Sequence, residues 1–494
     1  MEEIPAFVLD LIQVLAYLFI FAVGILVLWL VFAYFVDKFQ TQSTLRRNYP
    51  VVARFRYMFE HLGEFFRQYF FALDRDELPF NRAERSWVYR AAKNVDSTVA
   101  FGSSRDLRPA GTVYFVNCAF PVLAADAVKP SAITIGEDCP HPYTTSSLFN
   151  ISGMSYGALS IPAVRALSRG AQMAGIWMNT GEGGLSPYHL EGGCDIVFQI
   201  GTAKFGVRHA SGGFDETQLR EVSAHAQVKM FEIKLSQGAK PGKGGILPAA
   251  KVTQEIADIR GIPAGQDALS PNRHPEIAAV SDLLDMIAFV RTTTGKPTGF
   301  KMVVGAVSFF EELCAEIKAR GASCAPDFIT IDSADGGTGA APMSLIDNMG
   351  MPLKESLPQV HDVLLRHNLR GRIKLCASGK LVNPSDAAWA FCAGADFVNS
   401  ARGFMFALGC IQSLQCNKNT CPTGITTHNK KLQYGLDPTN KSARVMHYAQ
   451  NMTKELCVLA HSCGVSEPRA LSRQHARIVQ AEGRSVSLAE IYPQ

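Results

Sequence analysis

Eight short apolar runs, each followed by a longer helical pattern, restrict this chain more than any other feature of its sequence. They are Leu148 to Ile151, Ile176 to Asn179, Ile196 to Ile200, Met230 to Leu235, Phe300 to Val304, Phe328 to Ile331, Ile373 to Cys376 and Phe397 to Val398. Such alternation is the sequence form of βα units around a parallel sheet, and eight is the number that closes a barrel. The first connection, Ser152 to Ser160, leads into the helical pattern Ile161 to Met173 with Ser160 as its N-cap. The expected fold class is therefore α/β, a (β/α)8 TIM barrel, within a domain placed at residues 111–494.

Sites in such barrels lie at the carboxyl ends of the strands. In order, the residues there include Ser152-Gly153-Met154-Ser155, Thr180-Gly181-Glu182-Gly183-Gly184, Gly201 to Lys204, Ser236 to Lys240, Lys301 inside its strand, Asp332 to Gly339, Ser378-Gly379-Lys380 and Ser400-Ala401-Arg402. Glycine lets the backbone approach a ligand and exposes N–H groups, which suits a phosphate at the last two loops. A single glycine-rich loop reads as well as a tight turn; eight in register point to a site.

Ahead of the barrel, Leu11 to Val36 is almost wholly apolar, with Gln13 its only strongly polar side chain. Roughly 20 such residues cross a bilayer as a helix. Glu2, Glu3 and Asp10 precede the run and no small-residue cleavage site follows it, unlike a signal peptide. Residues 1–36 are thus expected to be a single-pass anchor. Lys38, Arg46, Arg47, Arg54 and Arg56 come after it, which places the catalytic domain on the cytoplasmic side. Residues 37–110 read as a short helical linker region. Within it Phe55, Phe59, Leu62, Phe66, Tyr69 and Phe70 recur at helical spacing, either as an interfacial helix or as one packed on the barrel.

Charge is nearly balanced, 48 Lys and Arg against 44 Asp and Glu, so nothing points to nucleic acid. The 12 cysteines are not the dense framework of a small secreted domain, which leaves reduced thiols or metal ligands. Cys410, Cys416 and Cys421 follow the eighth run directly, with polar residues between them and a closing Cys-Pro. That arrangement resembles iron–sulfur ligand runs. A zinc site would need a fourth donor, for which His428 is the near candidate.

At these motifs the chain resembles the FMN-binding synthase domain of the glutamate synthase large subunit, over roughly residues 85 to 480. The segments that carry the resemblance are Gly409-Cys410 to Gly424, Asn179 to Gly184, Gln237 to Gly245 and Asp335 to Gly339. It implies a 3Fe-4S cluster on Cys410, Cys416 and Cys421. It also implies FMN at the barrel mouth, its phosphate held by Ser378, Gly379, Lys380, Ser400, Ala401 and Arg402, and its ring near Ser152, Gly153, Met154 and Ser155. Lys301 would stand beside flavin and substrate, and Glu182 at the same site, both catalytic; a salt bridge between the two is the plain structural alternative. The apolar segment stands where the family's complete enzymes carry a glutaminase domain, so the resemblance leaves the nitrogen source outside this polypeptide. Ser270-Pro-Asn-Arg-His-Pro275 differs locally from the family's Pro- and His-rich stretch.

The reaction implied is reduction of an imine, formed from a 2-oxo acid (2-oxoglutarate first) and ammonia or an amine, to an amino acid. Two other readings share the sequence: a related ligation of methylamine to glutamate, and a membrane-tethered subunit that only passes electrons. No G-x-G-x-x-G dinucleotide fingerprint occurs in a βαβ setting, so a ferredoxin or a separate NAD(P)H-dependent subunit is the expected donor.

Overall fold

A computed structural model describes residues 6–493, which divide into two compact units meeting between Ala83 and Glu84. Residues 1–5 of the expected anchor lie outside the described residues, and the first unit opens with a helix over Ala6–Phe39, which contains the apolar run Leu11 to Val36. By length and composition it can cross a membrane. Its polar end is closed locally: the buried Asp37 carboxylate accepts from Arg46 Nη2 at 2.5 Å, Arg54 Nε at 2.7 Å and the Val51 N–H at 3.0 Å. Pairing with two guanidinium groups offsets the cost of burying that charge. The aromatic pattern beyond it forms one helix over Val52–Phe66 that runs on as a π-helical turn over Arg67–Phe71, with Phe59, Phe70 and Phe71 exposed.

The second unit is the barrel. All eight expected strands form: β1 (Phe149–Ile151), β2 (Met178–Asn179), β3 (Ile196–Ile200), β4 (Val228–Lys234), β5 (Thr298–Val303), β6 (Phe328–Asp332), β7 (Lys374–Ser378) and β8 (Phe397–Ser400). Each pairs in parallel with its sequence neighbours, and β8 returns to β1 through Val398 opposite Phe149 and Ser400 opposite Ile151. The helix after β1 spans Ile161–Ala174, and the Ser160 hydroxyl accepts from the Ala163 N–H as an N-cap.

Side chains alternate between the two faces of each strand, so the barrel interior is stacked in layers. Trp177, Val197, Met230, Phe328, Cys376 and Phe397 form an apolar floor, closed from below by Ile135 and Tyr143 of the hairpin Ile133–Ile135 with Tyr143–Thr145. The layer above is polar. Buried Glu232 accepts from Asn179 Nδ2 at 2.8 Å, Gln199 Nε2 at 2.7 Å and Thr330 Oγ1 at 2.6 Å, which satisfies its carboxylate inside the barrel. Chemistry is thereby confined to the upper end.

Candidate active site

One cleft opens at the carboxyl ends of the strands. Every expected site residue except Cys410 and Cys421 lines it: Ser152 to Ser155, Glu182, Lys301, Ser378 to Lys380 and Ser400 to Arg402, together with Cys416. The loops after β1 and β8 are joined where the Ser152 N–H donates to the Ser400 carbonyl at 3.1 Å. Gly379 has φ +108°, and a Cβ there would lie 2.4 Å from that of Ser333. No larger residue could occupy that turn, which keeps its backbone open to a ligand.

Two ion pairs organise the cleft, and neither is the Lys301–Glu182 bridge considered from sequence. Glu182, in the 3-10 turn Gly181–Gly183, lies 3.0 Å from Lys234 Nζ. Lys301 Nζ lies 3.1 Å from Asp332 Oδ2, which also accepts from the Gly238 N–H at 3.0 Å. Burial pushes the Glu182 carboxyl up, but the Lys234 and Lys240 ammonium groups more than reverse it, so it stays ionised below the ordinary carboxylate range. For Lys301, burial pulls the ammonium down, and the Asp332 and Glu232 carboxylates outweigh that and raise it. Lys240 differs. Burial, with Lys234 adding repulsion, brings its ammonium down to about 8. Arg260 completes the cationic side: Nη2 donates to the Tyr156 carbonyl at 3.2 Å, while its buried Nε has no hydrogen-bond partner.

Lys234 and Arg260 lie outside the strand-end segments read from sequence, whereas Gln237, Lys240 and Asp332 lie within them without a role assigned there. Gln237 Oε1 accepts from Lys234 Nζ at 2.5 Å, and Gln237 Nε2 donates to Thr338 Oγ1 at 3.0 Å, which ties two loops over the cleft. Period two along Met230-Phe-Glu-Ile-Lys234 was the available signal, since it sends Met230, Glu232 and Lys234 to one face.

The two loops suited to phosphate differ in how free their cations are. Lys380 Nζ pairs with Asp335 Oδ2 at 3.0 Å in a half-exposed position. Arg402 is directed elsewhere: Nη2 donates to the Thr338 carbonyl, and Nη1 stands 3.9 Å from Cys416 Sγ. Arg402 Nη1 also lies 3.4 Å from Met405 Sδ, so its guanidinium is shared among the Thr338 carbonyl, Met405 and Cys416.

Cys410 and Cys416 are partly exposed and Cys421 is buried, and the three lie within electrostatic reach of one another. Burial raises the Cys421 thiol, yet hydrogen bonds from Thr423 and the Thr426 backbone bring it below its ordinary value. Among the described residues, no three His, Cys, Asp or Glu side chains converge tightly enough for a single metal ion. His428 Nε2 is hydrogen-bonded to the Gly157 carbonyl at 2.8 Å, and among the described residues His428 does not join the thiols in a donor group for a single ion. Cys410, Cys416 and Cys421 would be the residues to hold an iron–sulfur cluster, and the charges around them would suit its anionic character. Arg402 and the buried Lys251 bring positive charge towards the thiols, and the Thr426 side chain and backbone both hydrogen-bond Cys421.

Comparison with known proteins agrees with this architecture. A family model described as a conserved region in glutamate synthase matches residues 112–466. The chain is 38% identical to the glutamate synthase large subunit-like protein YerD of Bacillus subtilis, over 96% of this chain and 98% of that protein. It is 34% identical to the archaeal glutamate synthase (NADPH) of Methanocaldococcus jannaschii, over 66% of this chain and 61% of that one. With the glutamate synthase (NADPH) large chain of Bacillus subtilis it shares 34% identity over 58% of its own length and 18% of the partner's. The chain thus spans less than two thirds of the archaeal relative.

Proposed function

This chain belongs to the glutamate synthase family, and on that footing we propose that it is a membrane-anchored oxidoreductase, dependent on FMN and a 3Fe-4S cluster, that reduces the imine of a 2-oxo acid to an amino acid. The observation that carries the proposal is that Cys416 lines the same cleft as Glu182, Lys234 and Lys301. A thiol suited to iron and the groups suited to an anionic substrate therefore share one space. Flavin, when bound, supplies hydride chemistry, and the cluster supplies single electrons to it.

The chain's own groups divide the remaining work. Lys234, Lys240 and Arg260 outnumber Glu182 on one side of the cleft, which favours a substrate with more than one carboxylate, 2-oxoglutarate first. Glu182 is ionised, so it accepts a hydrogen bond or a proton from the substrate nitrogen and does not donate one. Lys301 is a fixed cation held by Asp332, placed to favour negative charge developing on the flavin ring. The nitrogen is ammonia or an amine, and electrons come from a ferredoxin or a separate NAD(P)H-dependent subunit. Lys38, Arg47 and Arg56, next to the apolar helix, favour a catalytic unit on the cytoplasmic face.

The test is made on full-length protein extracted from membranes without oxygen. Flavin absorbance with bound iron, followed by reoxidation of the reduced flavin by 2-oxoglutarate plus ammonium with glutamate formed, supports the proposal. Iron- and flavin-free protein removes it. Turnover with methylamine and glutamate in place of ammonium would move the reaction to amine ligation, and redox cycling without any turnover would leave an electron-transfer subunit.

Lys240 gives the reaction a pH signature. As an ammonium it can return a proton to the substrate oxygen that leaves as water, and it does so only while protonated. Activity is expected to be level at neutral pH and to fall as pH rises through about 8. Lys240→Met should have lower activity and lack that limb in a kcat/KM profile. A variant that keeps the limb would assign it to another group.

A further inference from the structure

Lys251 lies outside every motif used so far, in a 3-10 turn over Ala249–Lys251 on the excursion between β4 and β5. It is 2% exposed. Its ammonium donates three hydrogen bonds, to the Ala158 carbonyl at 2.8 Å, the Thr426 carbonyl at 3.0 Å and the Cys416 carbonyl at 3.3 Å. All three N–H groups are used and no carboxylate takes part, so the ammonium is held against backbone dipoles beside the Cys416 and Cys421 thiols, and burial brings it down to about 8. A buried ammonium is costly, and a structure retains one where its partners are fixed by it.

The partners come from two loops that must keep register. Ala158 belongs to the connection after β1 that begins with Ser152-Gly153-Met154-Ser155, and Cys416 and Thr426 belong to the cysteine segment. Weaker ties follow the same route. Asn419 Nδ2 donates to the Ala250 carbonyl at 3.4 Å, His428 Nε2 meets the Gly157 carbonyl at 2.8 Å, and the Ser160 N–H donates to the Ile425 carbonyl at 2.8 Å. Lys251 is the charged centre of this knot.

We infer that Lys251 is a positioning residue for electron transfer: it locks the cysteine segment to the loop after β1, and its charge raises the reduction potential of the cluster. The inference rests on the cluster proposed above. A reduced cluster carries one more negative charge than an oxidised one, and a cation held nearby in a low-dielectric interior stabilises the reduced form. The same side chain fixes the distance an electron crosses from cluster to flavin.

The experiment compares full-length wild type, Lys251→Met and Lys251→Gln in detergent, by hydrogen exchange and by a redox titration of the cluster. Lys251→Met removes both bonds and charge. Exchange should become about tenfold faster, or more, in 152–160 and 416–428 together and nowhere else in the barrel, as expected for losing hydrogen bonds to a charged donor. Its cluster potential should fall while bound flavin is kept. Lys251→Gln keeps donors without charge, so its segments should stay largely protected while its potential still falls. Unchanged exchange in either segment of Lys251→Met overturns the lock. An unchanged potential in Lys251→Gln overturns the role of the charge, and so would a wild type that holds no iron, which would also end the cluster proposal. Wild type that holds iron, with either variant result negative, ends this inference alone.

Discussion

Replacing Cys416 by Ser is expected to strip the protein of iron while flavin remains bound and the barrel keeps its stability. A serine oxygen is a poor substitute for a soft thiolate, and a cluster held by three ligands has none to spare. The structural cost is small. Cys416 is only partly buried, and its sulfur takes a single weak contact from Arg402 at 3.9 Å, so a change within about 0.5 kcal/mol is expected for a site of that kind. Iron per chain, the visible spectrum and thermal unfolding measured together decide it. Cys457→Ser, equally partly exposed but on the helix Pro438–Ser462, is the control and should keep its iron. Iron at the wild-type level in Cys416→Ser would remove that residue from the ligand set.

The same contrast between chemistry and packing explains what the sequence revealed of the fold. Apolar runs located all eight strands because each must bury its outward face under helices, and that need appears as Val, Ile, Leu and Phe. The runs stop early where a strand turns functional. β7 and β8 continue through Ser378 and through Asn399 and Ser400, beyond the expected Cys376 and Val398, because their last inward residues face the cleft and are polar. At β2 the error is opposite. Ile176 and Trp177 are apolar and buried, yet only Met178–Asn179 pairs as strand, since the chain there is still leaving the turn at Gly175. The N-terminal helix runs past the strictly apolar run to Phe39, because its flanking residues continue the helix after that run has ended.

Within the site, loops were legible and pairings were not. Glycine and polar residues after each strand mark the cleft, and the structure gathers almost all of them there. Which cation meets which carboxylate depends on the stagger of the barrel, a property no single segment contains. Lys301 is paired with Asp332 on the adjacent strand, and Glu182 reaches Lys234 across the mouth. Arg402 illustrates the same limit. It lines the cleft after β8, and which atoms its guanidinium meets, the Thr338 carbonyl and Cys416 Sγ, depends on segments distant in sequence.

Lys301→Met should cost more activity than any other single change in the cleft. Lys301 projects inward from β5, 7% exposed, and pairs at 3.1 Å with Asp332, also buried, with the Glu232 carboxylate adding to the field. Losing a preorganised charge aimed at the reacting centre lowers kcat by about 10²–10³. Breaking a buried pair also leaves a charge behind, at about 3–5 kcal/mol in a closed core. The lower end applies here, because Asp332 keeps the Gly238 N–H and opens on the cleft. A single variant would therefore confound weak folding with lost chemistry, and the double variant Lys301→Met with Asp332→Asn separates them. With both charges gone, thermal stability should return close to wild type while turnover stays low. Steady-state kinetics and unfolding on the same samples read both quantities. Turnover restored along with stability would make Lys301 a structural partner of Asp332 and leave Glu182, Lys234 and Lys240 as the groups that act on the substrate.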